Sequence, residues 1–577
     1  MRKQRRGVQL LVLLFTFVLF AAACSSDKKS TTGAGASSAA PALKKGGTLI
    51  LGAEQWPDCL NPITQCANSS WMHWAIDEHV LPRLMDFDKA GNFVPSPVLK
   101  DAPVLDGKGT GKNETSPFSV TFDIDPAAVW DDGSPITADD VEFTWHAYLD
   151  TVGTISTVGY DKIDHVEKSN NNKTAKVVFK DTFADVFDLF GGNSSYLLKK
   201  AAFASTDTSK DMVDSIPFSG KGFKLDSFTK DQAVMTPNAK YWNQAQTPLV
   251  DKVIVKPFAD TDTELNALKA GEAFAGFPQP SPGIKDKLAD PNIKLQFGAS
   301  VSFEGLWFDQ GSLKNPDSVL KDKTVRQALL FAFDRQAILD NVYKNISPDV
   351  QLLNCAFWVP TVAGGKYCDD NEFKDLTTSN PDKVKSLLEG DGWAKGADGI
   401  YAKGGKRLSI TWQTVAGNKR RESIQDLEIP KLKDLGIELV KDNSDAGTLF
   451  QTRLPHLDTE IMLFINSASP DPSVQSSLAC DAIPSAANNF AGQNNYAWCN
   501  NDATANMKQL DQVVDEDARA ALVKKIGQAF RDDAVGLPLT QFPTLTVIRT
   551  DKIDGPVGDF TNSPGGGFEN IYAWSVK

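Results

Sequence analysis

The sequence predicts a mixed α/β protein large enough to hold several domains. Three observations carry this expectation. Short apolar runs with period-two alternation recur between stretches of helical periodicity in both halves of the chain. The composition is that of a globular protein, with 41% hydrophobic and 23% charged residues. The length, 577 residues, allows several domains of roughly 100–200 residues each.

The chain opens on the basic stretch MRKQRR and continues with an apolar run from Val8 to Phe20, broken only by Gln9 and Thr16. That run is shorter than the roughly 20 residues a bilayer span requires. A basic start, a short apolar run and small residues before a cut describe a secretory signal peptide over 1–23. Ala21-Ala22-Ala23-Cys24 resembles the bacterial lipobox, whose cysteine takes lipid and becomes the mature N-terminus. Residues 24–45 are rich in Ser, Thr, Ala, Gly and Lys with no apolar periodicity, so a flexible tether is expected there. This places the protein outside the cytoplasm, on the outer face of the cell membrane.

Beyond the tether, the glycine-bounded run Thr48–Leu51 reads as a buried strand. Residues 69–85 carry Trp71, Trp74, Val80 and Leu84 at rough helical spacing. Phe118, Val120, Phe122 and Ile124 alternate on one strand face, and 175–180 reads as another strand. Thr137 with Asp140 three residues on makes a capping box before the stripe Val141, Trp145, Tyr148, Leu149. In the second half, Val325, Ala328, Leu329 and Ala332 line a helix, and Asp334 caps the next one. Leu408, Ile410 and Trp412 alternate on a strand. A helix over about 421–435, containing Pro430, ends at Gly436, and a strand resumes at 437–440. Ala518, Leu522, Ile526 and Phe530 form a further helical stripe, and 537–549 reads as strands.

Several function classes are excluded or disfavoured. A formal net charge of −13 argues against a nucleic-acid partner. No nucleophile elbow, phosphate loop, dinucleotide fingerprint or HExxH occurs, so no enzyme is expected and no cofactor is implied. Asp131-Asp132 sits in a turn and Asp139-Asp140 in a helix's first turn, where carboxylates favour the dipole. Besides Cys24, the cysteines fall in sequence-local pairs, Cys59 with Cys66, Cys355 with Cys368, and Cys480 with Cys499. No CxxC or HxxxH spacing supports a metal. In an exported protein these six read as disulfides, and neighbour pairing is the simplest connectivity.

Five stretches in order resemble one family. They are "GGTLILGAEQWPDCLNP" (46–62), "LPRLMDFDKAGNFVPSPVLKDAP" (81–103), "VTFDIDPAAVWDDGSPITADDVEFTWHAY" (120–148), "PFSGKGFKLDSFTKDQAVMTPNAKYWN" (217–243) and "LKDKTVRQALLFAFDRQAI" (320–338). Together they are similar to the family 5 extracytoplasmic solute-binding proteins of ABC importers, which include dipeptide-, oligopeptide- and nickel-binding members. The resemblance implies the two-lobed periplasmic-binding-protein fold with a third, smaller domain inserted in lobe one. Lobe one is then expected at 46–85, 217–298 and 543–577, the inserted domain at 86–216 and lobe two at 299–542. It further implies a monomer that takes a peptide or other small solute and works with permease and ATPase subunits.

The same resemblance addresses the ligand. Peptide-binding members use an aspartate in an "aDY.dP" stretch for the peptide's ammonium. The matching stretch here is "SASPDPS" (467–473), with Ala468 at the aspartate's position and Asp471 surviving in a turn. Arg453 matches an arginine of some oligopeptide-binding members, whereas Met462 and Ile465 replace a charged and an aromatic residue. Glu54 is a further candidate acid, and Trp56, Trp71, Trp74 and Trp412 are aromatics suited to stacking on a solute. Lys419, Arg420 and Arg421 read as a solvated basic face, with anion binding as the alternative. Longer, end-blocked or uncharged ligands are therefore expected over short zwitterionic peptides. A non-peptide solute (an oligosaccharide, a metal complex or an apolar molecule) and a surface sensing or scaffolding lipoprotein without transport remain open.

One outcome follows from the lipobox. Cys24→Ala is expected to abolish palmitate labelling and release the protein from the membrane fraction. Equal labelling and retention in the variant would show that Cys24 is not the anchor.

Overall fold

Two long antiparallel strands, Ile293–Phe308 and Gly536–Arg549, lie in the middle of a ten-stranded mixed sheet. The computed structural model describes residues 43–67, 69–192, 195–557 and 566–577. The expected leader, Cys24 and the tether as far as residue 42 lie outside the described residues. On one side of the long pair, Ile293–Phe308 bonds Ile461–Ser467, which leads to Ser409–Gln413 and the edge strand Glu438–Lys441. On the other, Gly536–Arg549 bonds the short Ala275–Gly276, then come Thr48–Ala53, Lys252–Pro257, Ala233–Pro237 and Phe223–Phe228.

The long strands carry few sequence signals because both of their faces are covered. From Ser300 onward every residue of Ile293–Phe308 is buried, so no alternation survives. Pro538 and Pro543 would normally argue against a central strand, because proline cannot donate to the ladder. Here they sit where pairing slips. The register shifts between Ala299 and Phe303, opposite Pro543 and Gln541, and again between Glu304 and Gly305, opposite Thr540 and Pro538. The sequence reading took 537–549 as more than one strand and did not recognise 293–308; each is one continuous strand with irregularities.

A four-stranded antiparallel sheet, in the order Val104–Asp106, Ser119–Asp123, Thr174–Phe179, Ile163–Ser169, packs against the helix Ala138–Asp150. That helix begins with the expected Thr137–Asp140 capping box. Lys323–Ala332 is capped by Asp322, and Asp334 caps the following turn. The helix expected at about 421–435 begins earlier, at Lys419, and carries Pro430 inside it. On the helix Glu516–Asp532 the buried face starts with Arg519, and Ala518 is exposed, contrary to the expected stripe.

Two large apolar cores result. One is built from residues between Val301 and Leu539, the other from Leu49 to Phe277 with Ile548 to Trp574. The strand Gly536–Arg549 contributes to both, with Leu537 and Leu539 in the first and Ile548 in the second. Cys59–Cys66, Cys355–Cys368 and Cys480–Cys499 are disulfides. Among the described residues no helix is long and apolar enough to cross a membrane, and no cluster of metal-ligating side chains occurs.

Trp307 is the keystone of the first of these cores, the one between Val301 and Leu539. It is fully buried, packs against Phe303, Phe357, Phe464, Tyr496 and Phe530, and donates from Nε1 to the Phe464 carbonyl at 3.0 Å. Gly305 and Gly536 leave room for its ring, since a Cβ at either position would meet ring atoms at 2.5 and 2.6 Å. Trp307→Ala is expected to cost about 3–5 kcal/mol. Gly536→Ala, which overpacks the same place, is expected to cost about 1–3 kcal/mol. Urea unfolding followed by circular dichroism checks both, and an unchanged midpoint for Trp307→Ala would contradict this packing.

Candidate ligand-binding cleft

The register shift in the long strands opens the wall of a cavity. Ser300, Val301 and Ser302 on one strand, with Phe542 and Thr544 on the other, line an enclosed space of about 330 Å3. The bulge is held by Ser300 Oγ, which donates to the carbonyls of Ser302 and Phe542 at 3.4 and 3.2 Å. The helical segment from Ser70 to Val80, broadened by a π-turn at His73–Asp77, contributes Trp71, His73 and Trp74. Phe277 and Gln279 follow on the same side. From the other core come Phe357, Arg421, Phe464, Asn466 and Gln493.

One wall is aromatic. Trp74 lies 4.7 Å from Phe277 and 5.1 Å from Trp71, centroid to centroid. The remaining lining mixes polar side chains with Phe357, Phe464 and Phe542 and carries no carboxylate; its ionisable side chains are Arg421 and His73. His73 Nδ1 bonds Asp77 Oδ2 at 2.9 Å, and burial raises the Asp77 pKa against that contact.

A second cavity of about 230 Å3 adjoins the first through Phe357, Ser467, Ser477 and Gln493, which line both. Its walls include Asp185, Asp188, Ala468, Ser469 and Asp471. Ser469 Oγ donates to Asp188 at 2.6 Å, and Arg519 grips both oxygens of Asp471 at 2.6 and 2.5 Å. Burial raises Asp188 to about 6. Burial and the Asp471 charge raise Asp511, behind this wall, to about 7. Burial, then the Asp471 and Asp188 charges, hold Asp185 well above the usual carboxylate range.

The candidates from sequence scatter. Trp71 lines the main cavity, as does Trp74, and Ala468 and Asp471 line the second. Glu54 does not reach either cavity; it is buried behind Gln279, whose N–H it accepts at 3.0 Å, and lies against Glu264. Trp56 stacks on Phe228 at 5.1 Å and donates to the Thr229 carbonyl. Trp412 belongs to the core and packs on Phe333. Arg453 is spent on Asp442 at 2.6 Å. The basic triplet is not a solvated face: Arg420 and Arg421 are 0% and 1% exposed and both bond Glu304, while Lys419 alone is exposed. Sequence reasoning named Arg421 only within the basic triplet and missed Phe357, Asn466, Gln493, Phe542 and Thr544, which tertiary pairing or a loop brings to the cavity.

A mixed α/β architecture with two large cores and a cavity lined from both is that of the two-lobed solute-binding proteins. The chain belongs to the bacterial extracellular solute-binding proteins, family 5, whose middle region matches residues 109–482. Oligopeptide-binding protein AppA of Bacillus subtilis is 26% identical over 438 residues, covering 74% of this chain and 75% of that one. A monoacyl phosphatidylinositol tetramannoside-binding protein, LpqW of Mycobacterium tuberculosis, described as probable, is 22% identical over 372 residues, covering 59% of this chain and 55% of its own. Among solved structures, AppA of B. subtilis with a nonapeptide superposes with a TM-score of 0.77 at 21% identity, covering 93% of this chain and all of that one. The periplasmic EDTA-binding protein EppA gives 0.78 at 17% identity, covering 92% and 97%.

The acid cluster predicts a pH dependence. A carboxyl whose folded pKa is raised keeps a proton that the unfolded chain releases, so its contribution to stability falls as pH rises. For Asp511, faced by Asp185, Asp471, Arg519 and Lys162, the window runs from 3.8 to about 7. Asp511→Asn is expected to melt higher than the parent at pH 7.5 and to lose less stability between pH 4.5 and 7.5. Parallel melting curves for the two proteins across that range would refute the assignment.

Proposed function

We propose that this protein is a lipid-anchored extracytoplasmic receptor of an ABC importer. It captures a peptide or peptide-like solute between its lobes and delivers it to a permease. The observation that carries this reading is the aromatic-walled, polar-lined cavity at the bulge where the two long strands pass between the cores. Its volume, about 330 Å3 with about 230 Å3 adjoining, falls in the range of ligand sites. Strands 293–308 and 536–549 would act as the hinge, with lobe one formed by 46–85, 217–298 and 543–577, the small domain by 86–216 and lobe two by 299–542. The relatives named for oligopeptide binding support a peptide-like solute, and the carboxylate-free lining supports one that needs no acid for its ammonium.

Calorimetric titration with peptides of graded length, each free and N-acetylated, tests the reading. N-acetylation is expected to change affinity by less than about threefold, and Trp71→Ala to weaken binding about tenfold, in keeping with aromatic contacts worth about 0.5–1.5 kcal/mol. Binding of free peptides alone would restore an acid-for-ammonium clamp. Binding of no peptide would reject the peptide-like solute.

A further inference from the structure

We propose that Arg420 is a positioning residue, a clasp that joins the 277–281 wall of the cleft to the helix Lys419–Leu435 and thereby favours closure of the lobes. This goes beyond the solute-binding reading and rests on its hinge.

The helix packs Ile424 and Leu432 into the first core, whereas Phe277 of the wall belongs to the second. Arg420, in the helix's first turn, is fully buried and meets four partners. Its Nε and Nη2 grip Glu304 Oε2 and Oε1 at 2.8 and 2.9 Å. Glu304 also accepts from Arg421 Nε at 2.6 Å and the Tyr343 hydroxyl at 2.5 Å, which fills its roughly four acceptor sites. The two parallel bonds to Glu304 fix the plane of the Arg420 guanidinium. So held, its Nη1 donates to the Pro280 carbonyl at 2.8 Å and its Nη2 to Gln279 Oε1 at 3.0 Å. Its Cζ lies 4.9 Å from the ring centroid of Phe542. One side chain thus touches both long strands and ties the helix of one core to the wall segment of the other.

Arg420 does not line the cavity, but Gln279 and Phe542 do. Gln279 is anchored at its backbone as well, since its N–H donates to buried Glu54 at 3.0 Å. Gln279 and Pro280 are neutral acceptors, so releasing them strands no counter-ion, and Glu304 still pairs with Arg420. Such bonds can be made and broken as lobes move, whereas parting a buried ion pair would leave charges uncompensated. Two backbone bonds elsewhere also join segments of the two cores. Ala184 N–H donates to the Asp511 carbonyl at 2.6 Å, and Gly492 N–H to the Ile155 carbonyl at 3.1 Å. They report the closed arrangement without involving Arg420.

Hydrogen exchange of the full chain without added solute tests the clasp. The reporters are the Ala184 and Gly492 amides, and the controls are the strand Ser119–Asp123 and the helix Glu516–Asp532, each within one core. Gln279→Met removes one acceptor and leaves Arg420 on Glu304. It is expected to speed exchange at both reporters at least about fivefold, as loss of a bond to a charged group would, with the controls within about twofold. Gln279→Glu keeps an acceptor and is expected to hold the reporters within about twofold of the parent. Arg420→Met is expected to speed them more than Gln279→Met; if it fails to fold, the two Gln279 variants still decide. Reporters unmoved by Gln279→Met, controls rising with them, or Gln279→Glu matching Gln279→Met overturns the clasp. Each of those results leaves the solute-binding reading standing, because peptide titration decides that one separately.

Discussion

A carboxylate buried without water must be surrounded by donors, and Glu304 imposes that requirement on the centre of the molecule. It sits fully buried on the long strand Ile293–Phe308, beside one of the two register irregularities. Burial alone would push its pKa up; Arg420 and Arg421 outweigh this and hold it well below the usual carboxylate range. Meeting the requirement ties the strand to the helix Lys419–Leu435 and to Tyr343 on the turn Leu339–Tyr343. Removing Glu304 would leave two buried guanidinium groups without their counter-ion, and loss of a buried ion-pair partner typically costs about 3–5 kcal/mol. The same arrangement positions a guanidinium at the cavity, so a structural demand on the strand and the polarity of the cleft share one cause.

The bulge gives a second link between frame and site. A regular antiparallel pair would close the sheet at residues 299–303. The slip between Ala299 and Phe303 instead turns Ser300, Val301 and Ser302 into wall residues, and Ala468 N–H donates to the Val301 carbonyl at 2.9 Å to hold the neighbouring strand's end in place. Gln541 adds a bond to the Ser300 carbonyl across the crossing. In the proposed hinge, closure about these strands would act directly on residues that line the cleft.

How much of this was legible in the sequence depended on range. Features decided within a few residues were readable: the Thr137–Asp140 box, the cap at Asp334, the alternation at 118–124, and the neighbour pairing of the cysteines. The two longest strands were not, because burial on both faces removes alternation and their prolines mimic loop signals. The site was less readable still. Trp412 and Trp71 look alike as isolated aromatics, but one points into a core against Phe333 and the other borders a cavity. Arg453 and Arg421 look alike as cations, yet Asp442 neutralises the first, whereas the partner of the second lies 117 residues away and is already saturated.

Ala468 shows why a missing charge at one position does not by itself define the electrostatics of a site. The residue borders a cavity that also holds Asp185, Asp188 and Asp471, so carboxyl groups are abundant there. Their availability to a cationic solute is a separate matter. Asp471 is held by Arg519 through two short bonds and Asp188 accepts from Ser469, while burial and then the neighbouring charges raise Asp188 to about 6 and hold Asp185 well above the usual carboxylate range. Asp185 therefore keeps a proton in place of recruiting a cation, because an added negative charge works against its neighbours. An ammonium entering here would have to displace that proton, and its affinity would rise with pH. Ion pairing and proton uptake, not the number of carboxyl groups, set what the second cavity offers a solute.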